Sequence, residues 1–536
     1  MCQDSSGHKH RFDIPLPGPT LVKYHGVPLI IHGIRVAGDV ENAAIAGSRN
    51  FKFPDAPPIR RKPVQYPRLA GRYQPLDAHP RVFDSRADLD DIAKRADIKD
   101  SFTGGRFAAL ADRIRRDMAA KIDWRATYSG CDLEIYLRGF SYEYHPAYGN
   151  ERTEDQLRAA MHGRPDLAPP HGSAIVAARA ALYASLIDAG APRRPQDPTA
   201  DAASAFAKGI LLAWADHGFR DERGAFRLAD AQYCDLNQDG TLRLSRHGAF
   251  VGALNIARGV IYSVQAQDLL AGLHALAPDE QSRLDAFHRN LAETIRGIHN
   301  QEYDLNMTGN GRDETYNNQL VGHITALLSI ARLLGDQPDF DAALNGGSGA
   351  RAVRLPWIEL FDGVIYGEND TPWIYITPNS SPDPLKSHPA FNTAMAAPGE
   401  INDRYRHDNP AQTIGYPMGS LTGLYQAAEL LRVAGFDPYS YRGPRNQSLE
   451  MATRYYACFA NSAGFDQIVT RENSRGCANL TQYLGVIVEG VGPNVLIGAL
   501  RYPGDATITA AEPAARKNMA PTPFILEPIL FGKWRD

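Results

Sequence analysis

No two of the five cysteines (Cys2, Cys131, Cys234, Cys458 and Cys477) stand in a Cys-x-x-Cys pair. That excludes the usual zinc ribbons, and the scatter of the thiols over 536 residues is not a disulfide framework. Cys458 and Cys477 lie near enough in sequence to bridge, but buried free thiols are the simpler expectation. An excess of positive charge is missing too. Lys and Arg total 57 against 61 Asp and Glu, a formal net charge of -4, so nothing neutralises phosphates in bulk and general nucleic-acid binding is excluded. A local basic patch can still hold a polyanionic sugar. No apolar run approaches the ~20 residues that cross a bilayer, so no membrane span is expected. The chain also lacks a Gly-Lys-Ser/Thr phosphate loop, a Gly-x-Gly-x-x-Gly after a strand, a His-Glu-x-x-His and a Gly-x-Ser-x-Gly elbow, so nucleotide, zinc-protease and serine-hydrolase readings lose most of their support.

What is present is helical periodicity. Ile175, Ala178, Leu182 and Leu186 recur at three or four residues, as do Phe250, Leu254, Ala257, Ile261 and Val264. Leu320, Ile324, Leu327, Ala331 and Leu334 repeat the pattern, and so do Leu421, Leu424, Ala428 and Leu431. Each set is one buried stripe of a helix that must pack on another. Further helices are expected at 104–122, 200–216, 279–299, 446–460 and 478–489, and Asp84 or Ser85 is placed to cap one over 88–95. Long loops fall at 140–170, 363–415 and 462–477; loops beyond ~15 residues in a compact protein usually carry function. The expected fold is mainly α: an incomplete (α/α) toroid of helical hairpins over 79–536, its loops gathered at one mouth. A plain helical stack is the alternative. Residues 1–78 read as an extended N-terminal arm with a strand at 27–31, and 462–530 has room for a few short strands.

Two polar clusters interrupt the apolar helices. The first is Tyr316-Asn317-Asn318-Gln319, at the head of the helix ending near Leu334. Asn favours a helix start, where its side chain satisfies unpaired backbone N–H groups, so a cap is one reading. The other is that an amide faces a cavity and donates to an anionic substrate. The second cluster is Arg404-Tyr405-Arg406-His407, followed by Tyr416 and Pro417. Pro417 suits a first helical turn, which would set Tyr416 at the helix mouth. The competing reading pairs Arg404 and Arg406 with Asp403 and Asp408 on a solvated loop. A third motif, Asp235, Asn237 and Asp239 before Gly240, matches half of a calcium loop, but Arg246 occupies the position of the bidentate Glu. A tight polar turn is preferred there, and no cofactor is required.

The two clusters share a chemical logic. Removing the C5 proton of a uronate is difficult while the adjacent carboxylate is negative. Amide, imidazolium or guanidinium donors aimed at that carboxylate let the developing charge delocalise. A Tyr can then take the proton or give one to the leaving oxygen, provided nearby positive charge lowers a phenol that titrates near ~10. Arg406 and His407 are suitable neighbours.

His79-Pro80-Arg81-Val82-Phe83 resembles the opening of many bacterial polysaccharide lyases with helical toroids. Tyr316-Asn317-Asn318-Gln319 resembles the Asn-Asn-His signature of the alginate lyase superfamily, and Tyr416 with Leu421 and residues 428–430 is similar to the helix supplying its catalytic Tyr. The resemblance covers residues 79–435. It implies an outlying member that cleaves a uronic-acid polymer, alginate- or glucuronan-like, by β-elimination to unsaturated ends. By that pattern Asn318 neutralises the carboxylate and Tyr416 is base, acid or both, with His407 and Arg406 assisting. Asn317, Gln319, Arg404, His323, Tyr144, His145 and Trp373 are the expected substrate contacts. The chain departs from the pattern twice: Gln319 replaces the family His, and Asn409 falls about where an Arg is expected. His407 or His323 would then supply the imidazole, and Arg404 or Arg406 the guanidinium. The alternatives are a toroidal glycoside hydrolase using Asp403 or Asp408 with Glu314 or Glu368, which needs two carboxylates ~5–5.5 or ~6.5–9.5 Å apart, and a non-catalytic protein that binds anionic glycans. The partner is an anionic polysaccharide, and no oligomeric state is assigned. Met1 to His10 has no signal h-region; the protein is periplasmic or secreted if a leader has been removed, cytoplasmic otherwise.

Overall fold

The computed structural model describes residues 2–3, 9–10, 20–24, 27–31, 66–75, 78–120, 173–218, 233–236, 242–308, 317–368, 398–403, 410–460, 491–518 and 528–536. The protein is mainly helical. Its helices are α1 (Arg86–Ala96), α2 (Phe102–Ala119), α3 (Ser173–Asp188), α4 (Ala200–His217), α5 (Arg246–Gly272), α6 (Pro278–Thr308), α7 (Asn318–Leu334), α8 (Gln337–Asn345), α9 (Trp357–Val364), α10 (Pro410–Val433), α11 (Leu449–Ala457), α12 (Gly492–Arg501) and α13 (Ala506–Asn518). Strands among the described residues form three antiparallel two-stranded hairpins: β1 (Cys2–Gln3) with β2 (Lys9–His10), β3 (Thr20–Tyr24) with β4 (Val27–Ile31), and β5 (Tyr233–Leu236) with β6 (Leu242–Ser245).

The helices fall into two kinds, and composition explains the division. In α3 every residue from Ser173 to Leu186 is buried, and α7 is buried almost throughout. Helices apolar on all sides must be surrounded by others. By contrast α6 buries Leu284, Phe287, Leu291 and Ile295, one stripe at three- and four-residue spacing. The enclosed helices α3, α5, α7, α10 and α12 each pack on the next in that order, while α4, α6, α8, α11 and α13 lie against them from the side.

Four of the enclosed helices run parallel. Asn318 lies beside Gly419 and Val321 beside Gly423, while Arg332 Nη2 reaches the carbonyl of Val433, so residue numbers rise together along α7 and α10. Asn494 bonds Thr422, and Arg501 bonds Glu429, which gives α10 and α12 the same direction. Leu254 touches Gly322 at one end of α5 and α7, and at the other Arg81 bridges Asp268 and the Leu333 carbonyl. The starts of these helices therefore gather at one end of the molecule.

The His79–Phe83 motif sits at the opposite end. The Asp268 carboxylate accepts hydrogen bonds from the backbone N–H groups of Arg81 and Val82, each at 2.8 Å, and pairs with His79 Nδ1 at 2.5 Å. Buried Arg332 donates to the carbonyls of Arg81 and Gln74. This segment staples the C-terminal ends of α5 and α7. Ser85 is the cap of α1, in a reciprocal capping box with Asp88. The chain end, 528–536, crosses between distant elements: Lys533 Nζ donates to the Phe83 carbonyl and pairs with Asp84 (3.0 Å) and Glu429 (3.3 Å), and Trp534 Nε1 donates to Thr103. Residues 66–75 lie along 434–437 through the Gly71–Phe436 bridge.

Several expectations change. Of the region expected to have room for short strands, 462–530, the described part carries α12 and α13, and 462–490 and 519–527 lie outside the described residues. Val495-Leu496-Ile497 reads as a strand by residue type, but Pro493 in the first turn and burial on all sides favour a helix. Helix α10 begins at Pro410, so Pro417 lies inside it rather than in its first turn. Helix α6 runs nine residues past its expected end, to Thr308. The helix expected at 478–489 lies outside the described residues.

Candidate functional site

The site is built where the start of α7 meets α10 at Gly419. Asn317 is the cap of α7: its Oδ1 accepts from the backbone N–H groups of Gln319 and Leu320, each at 3.0 Å. The cap reading of the amide pair thus holds for Asn317, which is buried and whose side-chain carbonyl is committed to the helix. Asn318 follows as the first helical residue. Its backbone N–H, one of the donors a helix start leaves without an internal partner, donates to Asp403 Oδ2 at 2.8 Å.

Asp403 is buried, and Oδ2 also accepts the Ser420 hydroxyl at 2.9 Å. It is not a solvated loop residue paired to an arginine alone; its carboxylate joins two helices. A carboxylate suits this place because the start of α7 carries partial positive charge. The segment before it is held equally firmly. Ile401 bridges Ile365 in antiparallel fashion and donates its N–H to the Tyr456 hydroxyl, and Asn402 Oδ1 accepts the Tyr366 hydroxyl at 2.8 Å.

Across this junction the Asn318 side chain, itself buried at 6% exposure, faces Gly419: a Cβ built on that glycine would stand 3.4 Å from Asn318 Nδ2. Gly423 continues the contact one turn on, and Thr325 Oγ1 donates to its carbonyl at 3.3 Å. Tyr416 is half-buried and precedes Gly419 and Ser420 by three and four residues on α10. That spacing sets all three on one face, with Tyr416 about 4.5 Å nearer the helix start. Asn318 opens α7 level with Gly419, whereas Tyr416 is the seventh residue of α10 and so does not stand at the mouth of its helix; α10 begins nine residues before Gly419. Asn494 on α12, hydrogen-bonded to Thr422 and lying 3.8 Å from Met418 Sδ, extends this polar end to the next enclosed helix.

The other expected residues divide. Gln319 is half-buried beside the cap. His323 is not available to a substrate: it is completely buried, edge-on to His299 with centroids 5.8 Å apart. Burial, reinforced by His299, pushes its imidazole well below the usual range, so it is a neutral core ring. Glu368 is exposed and accepts from Asn446. Arg404, Arg406, His407, Tyr144, His145 and Trp373 lie outside the described residues, as do Asn409, Asp408 and Glu314. Of the half calcium loop, Asp235 belongs to β5, and Asn237 and Asp239 lie outside them as well. Among the described residues no cluster of His, Cys, Asp or Glu could hold a metal, and no helix is long and apolar enough to cross a membrane.

Sequence reasoning missed Ser420, Asn494 and the anchoring role of Asp403. One signal was available: Ser420 follows Tyr416 by four residues, which on a helix is the same face. No family model matches this chain, and no curated protein matches it.

Proposed function

We propose that this protein is a polysaccharide lyase that cleaves a uronic-acid polymer, alginate- or glucuronan-like, by β-elimination. We also propose that its enclosed parallel helices and flanking outer helices form an incomplete (α/α) toroid, with substrate entering where the enclosed helices begin. One observation carries the reading: Asn318 and the face of α10 that bears Tyr416 belong to the same helix junction. In the proposed reaction the Asn318 amide donates to the uronate carboxylate and draws off the charge that builds as the C5 proton leaves. Tyr416 takes that proton or returns one to the leaving glycosidic oxygen, and Arg406 and His407 supply the positive charge that lowers the phenol. The C4–O bond breaks as the C4–C5 double bond forms, and no water is consumed.

The hydrolase alternative has less support. Asp403 is buried and committed to Asn318 and Ser420, and Glu368 is bonded to Asn446 on an exposed turn. The test is a panel of acidic polysaccharides followed by ultraviolet absorbance, which rises only if conjugated unsaturated ends form. New reducing ends without absorbance would replace elimination by hydrolysis, and binding without either would make this a glycan-binding protein. Asn318→Ala should lower turnover by about 10²-fold or more, the usual loss on removing one donor to developing charge, with the denaturation midpoint little changed. A collapsed midpoint with normal specific activity would leave Asn318 as helix architecture only.

A further inference from the structure

We infer that Asp403 is a positioning residue, and that its single oxygen Oδ2 sets the spacing between the amide and the phenol. The inference rests on the lyase reading and adds a residue to it. Three elements meet at this carboxylate. The first backbone N–H of α7 donates to it at 2.8 Å, directly at Asn318. The Ser420 hydroxyl of α10 donates to the same oxygen at 2.9 Å, one turn from Tyr416. The chain that carries Asp403 is fixed by the Ile365–Ile401 bridge, the Tyr456 hydroxyl and the Tyr366–Asn402 bond.

The geometry points to positioning rather than to simple capping. Asn317 already caps α7 through two backbone donors. Asp403 takes the preceding N–H, that of Asn318, which Asn317 leaves without a partner. Beyond that it adds a link to α10, because the accepting oxygen is shared with Ser420. Hydrogen bonds to a charged acceptor are short and roughly twice as strong as neutral ones, and both partners here are buried. The Asn318 side chain and Gly419 meet directly beside this link, so a shift of either helix start changes where the amide stands relative to Tyr416. An error of ~1 Å in such a pairing costs about 10²-fold in rate.

Three variants test this: Asp403→Asn, Ser420→Ala and Ser420→Thr, each measured for kcat and KM on the uronate polymer that the wild type cleaves. Hydrogen exchange at the Asn318 amide is read in parallel. Asp403→Asn keeps the shape but weakens the shared acceptor; kcat should fall ~10–100-fold with KM within about twofold, as for an interaction that matters in the transition state. Ser420→Ala should lower kcat less, by ~3–10-fold, and Ser420→Thr, which keeps a hydroxyl, should restore most of it. Exchange at the Asn318 amide should quicken at least tenfold in Asp403→Asn. A wild-type enzyme that cleaves by elimination, with Asp403→Asn equally fast or Ser420→Thr no better than Ser420→Ala, overturns the positioning role alone. Loss in proportion to the unfolded fraction overturns it as well, since that is what a purely structural residue gives. A wild type that forms no unsaturated ends on any uronate polymer overturns the lyase reading, and this inference with it.

Discussion

Gly423→Ala probes how closely α7 and α10 must approach. The added methyl would stand 2.6 Å from Val321 Cγ1 and 3.6 Å from its Cβ. Val321 is buried, and a β-branched side chain has little freedom at χ1, so the ring of contacts cannot open by a rotamer change. Relief requires the helices to part by roughly 1 Å, the difference between this approach and ordinary contact. Overpacking of this kind costs about 1–3 kcal/mol, against a helical gain of about 1 kcal/mol for Ala over Gly. The net loss is about 0–2 kcal/mol, small for the fold. Turnover should suffer more, falling ~10–100-fold, because Asn318 lies about one turn away on α7 and Tyr416 about two turns away on α10. Gly297→Ala is the control: that glycine is exposed on α6 with nothing within 4 Å of a built Cβ, so stability should rise by up to ~1 kcal/mol and kcat stay put. Denaturant midpoints and initial rates of absorbance measure both. A Gly423→Ala enzyme with wild-type kcat would refute the claim that this junction sets catalytic geometry.

Two further outcomes concern stability. Lys533→Met should destabilise the fold by about 3 kcal/mol, the low end for breaking a buried pair, because it leaves the buried Asp84 carboxylate without its cation while Glu429 keeps Arg432 and Arg501; an unchanged midpoint in chemical denaturation would show that residues 528–536 are not the tie between α1 and α10. Acid should weaken the fold earlier than carboxylates alone would: burial pushes His288 down to about 3, His299 to about 4 and His323 well below its ordinary value of 6.5. The unfolded chain then binds protons below ~6.5 that the folded one refuses, so stability is full above that pH and is lost as pH falls, by about 1.4 kcal/mol per unit for each imidazole. Glu429 acts in a lower window. Burial would raise its pKa, but Lys533, Arg432 and Arg501 outweigh burial and hold it near about 2, so its contribution disappears only between ~4.5 and ~2. A midpoint flat from pH 7 to 5 would contradict the histidine placement.

The helices were legible where one stripe or a whole surface is apolar. The cap at Asn317 and the stop at Gly335, whose φ of 69° suits glycine, lie close to where residue chemistry puts them. The start of α10 was not: Pro417 looks like a first-turn proline, and nothing in the local pattern says that Pro410 holds that role seven residues earlier. Helices α12 and α13 were hidden because Val495-Leu496-Ile497 carries strand residue types, and only tertiary enclosure decides between helix and strand for so short a run. At the candidate site, residue type together with the family resemblance singled out Asn318 and Tyr416. It could not show that Asp403 faces inward to Ser420, since an acidic residue followed by Arg404 and Arg406 looks like any surface charge until the fold buries it.

Absorbance of unsaturated uronate ends, for wild type against Tyr416→Phe on one responsive polymer, tests the central claim most directly. The account predicts a steady rise for the wild type and loss of nearly all of it in a variant that lacks one hydroxyl and keeps its fold. Equal rates in the two proteins, or cleavage by the wild type without conjugated ends, would contradict it.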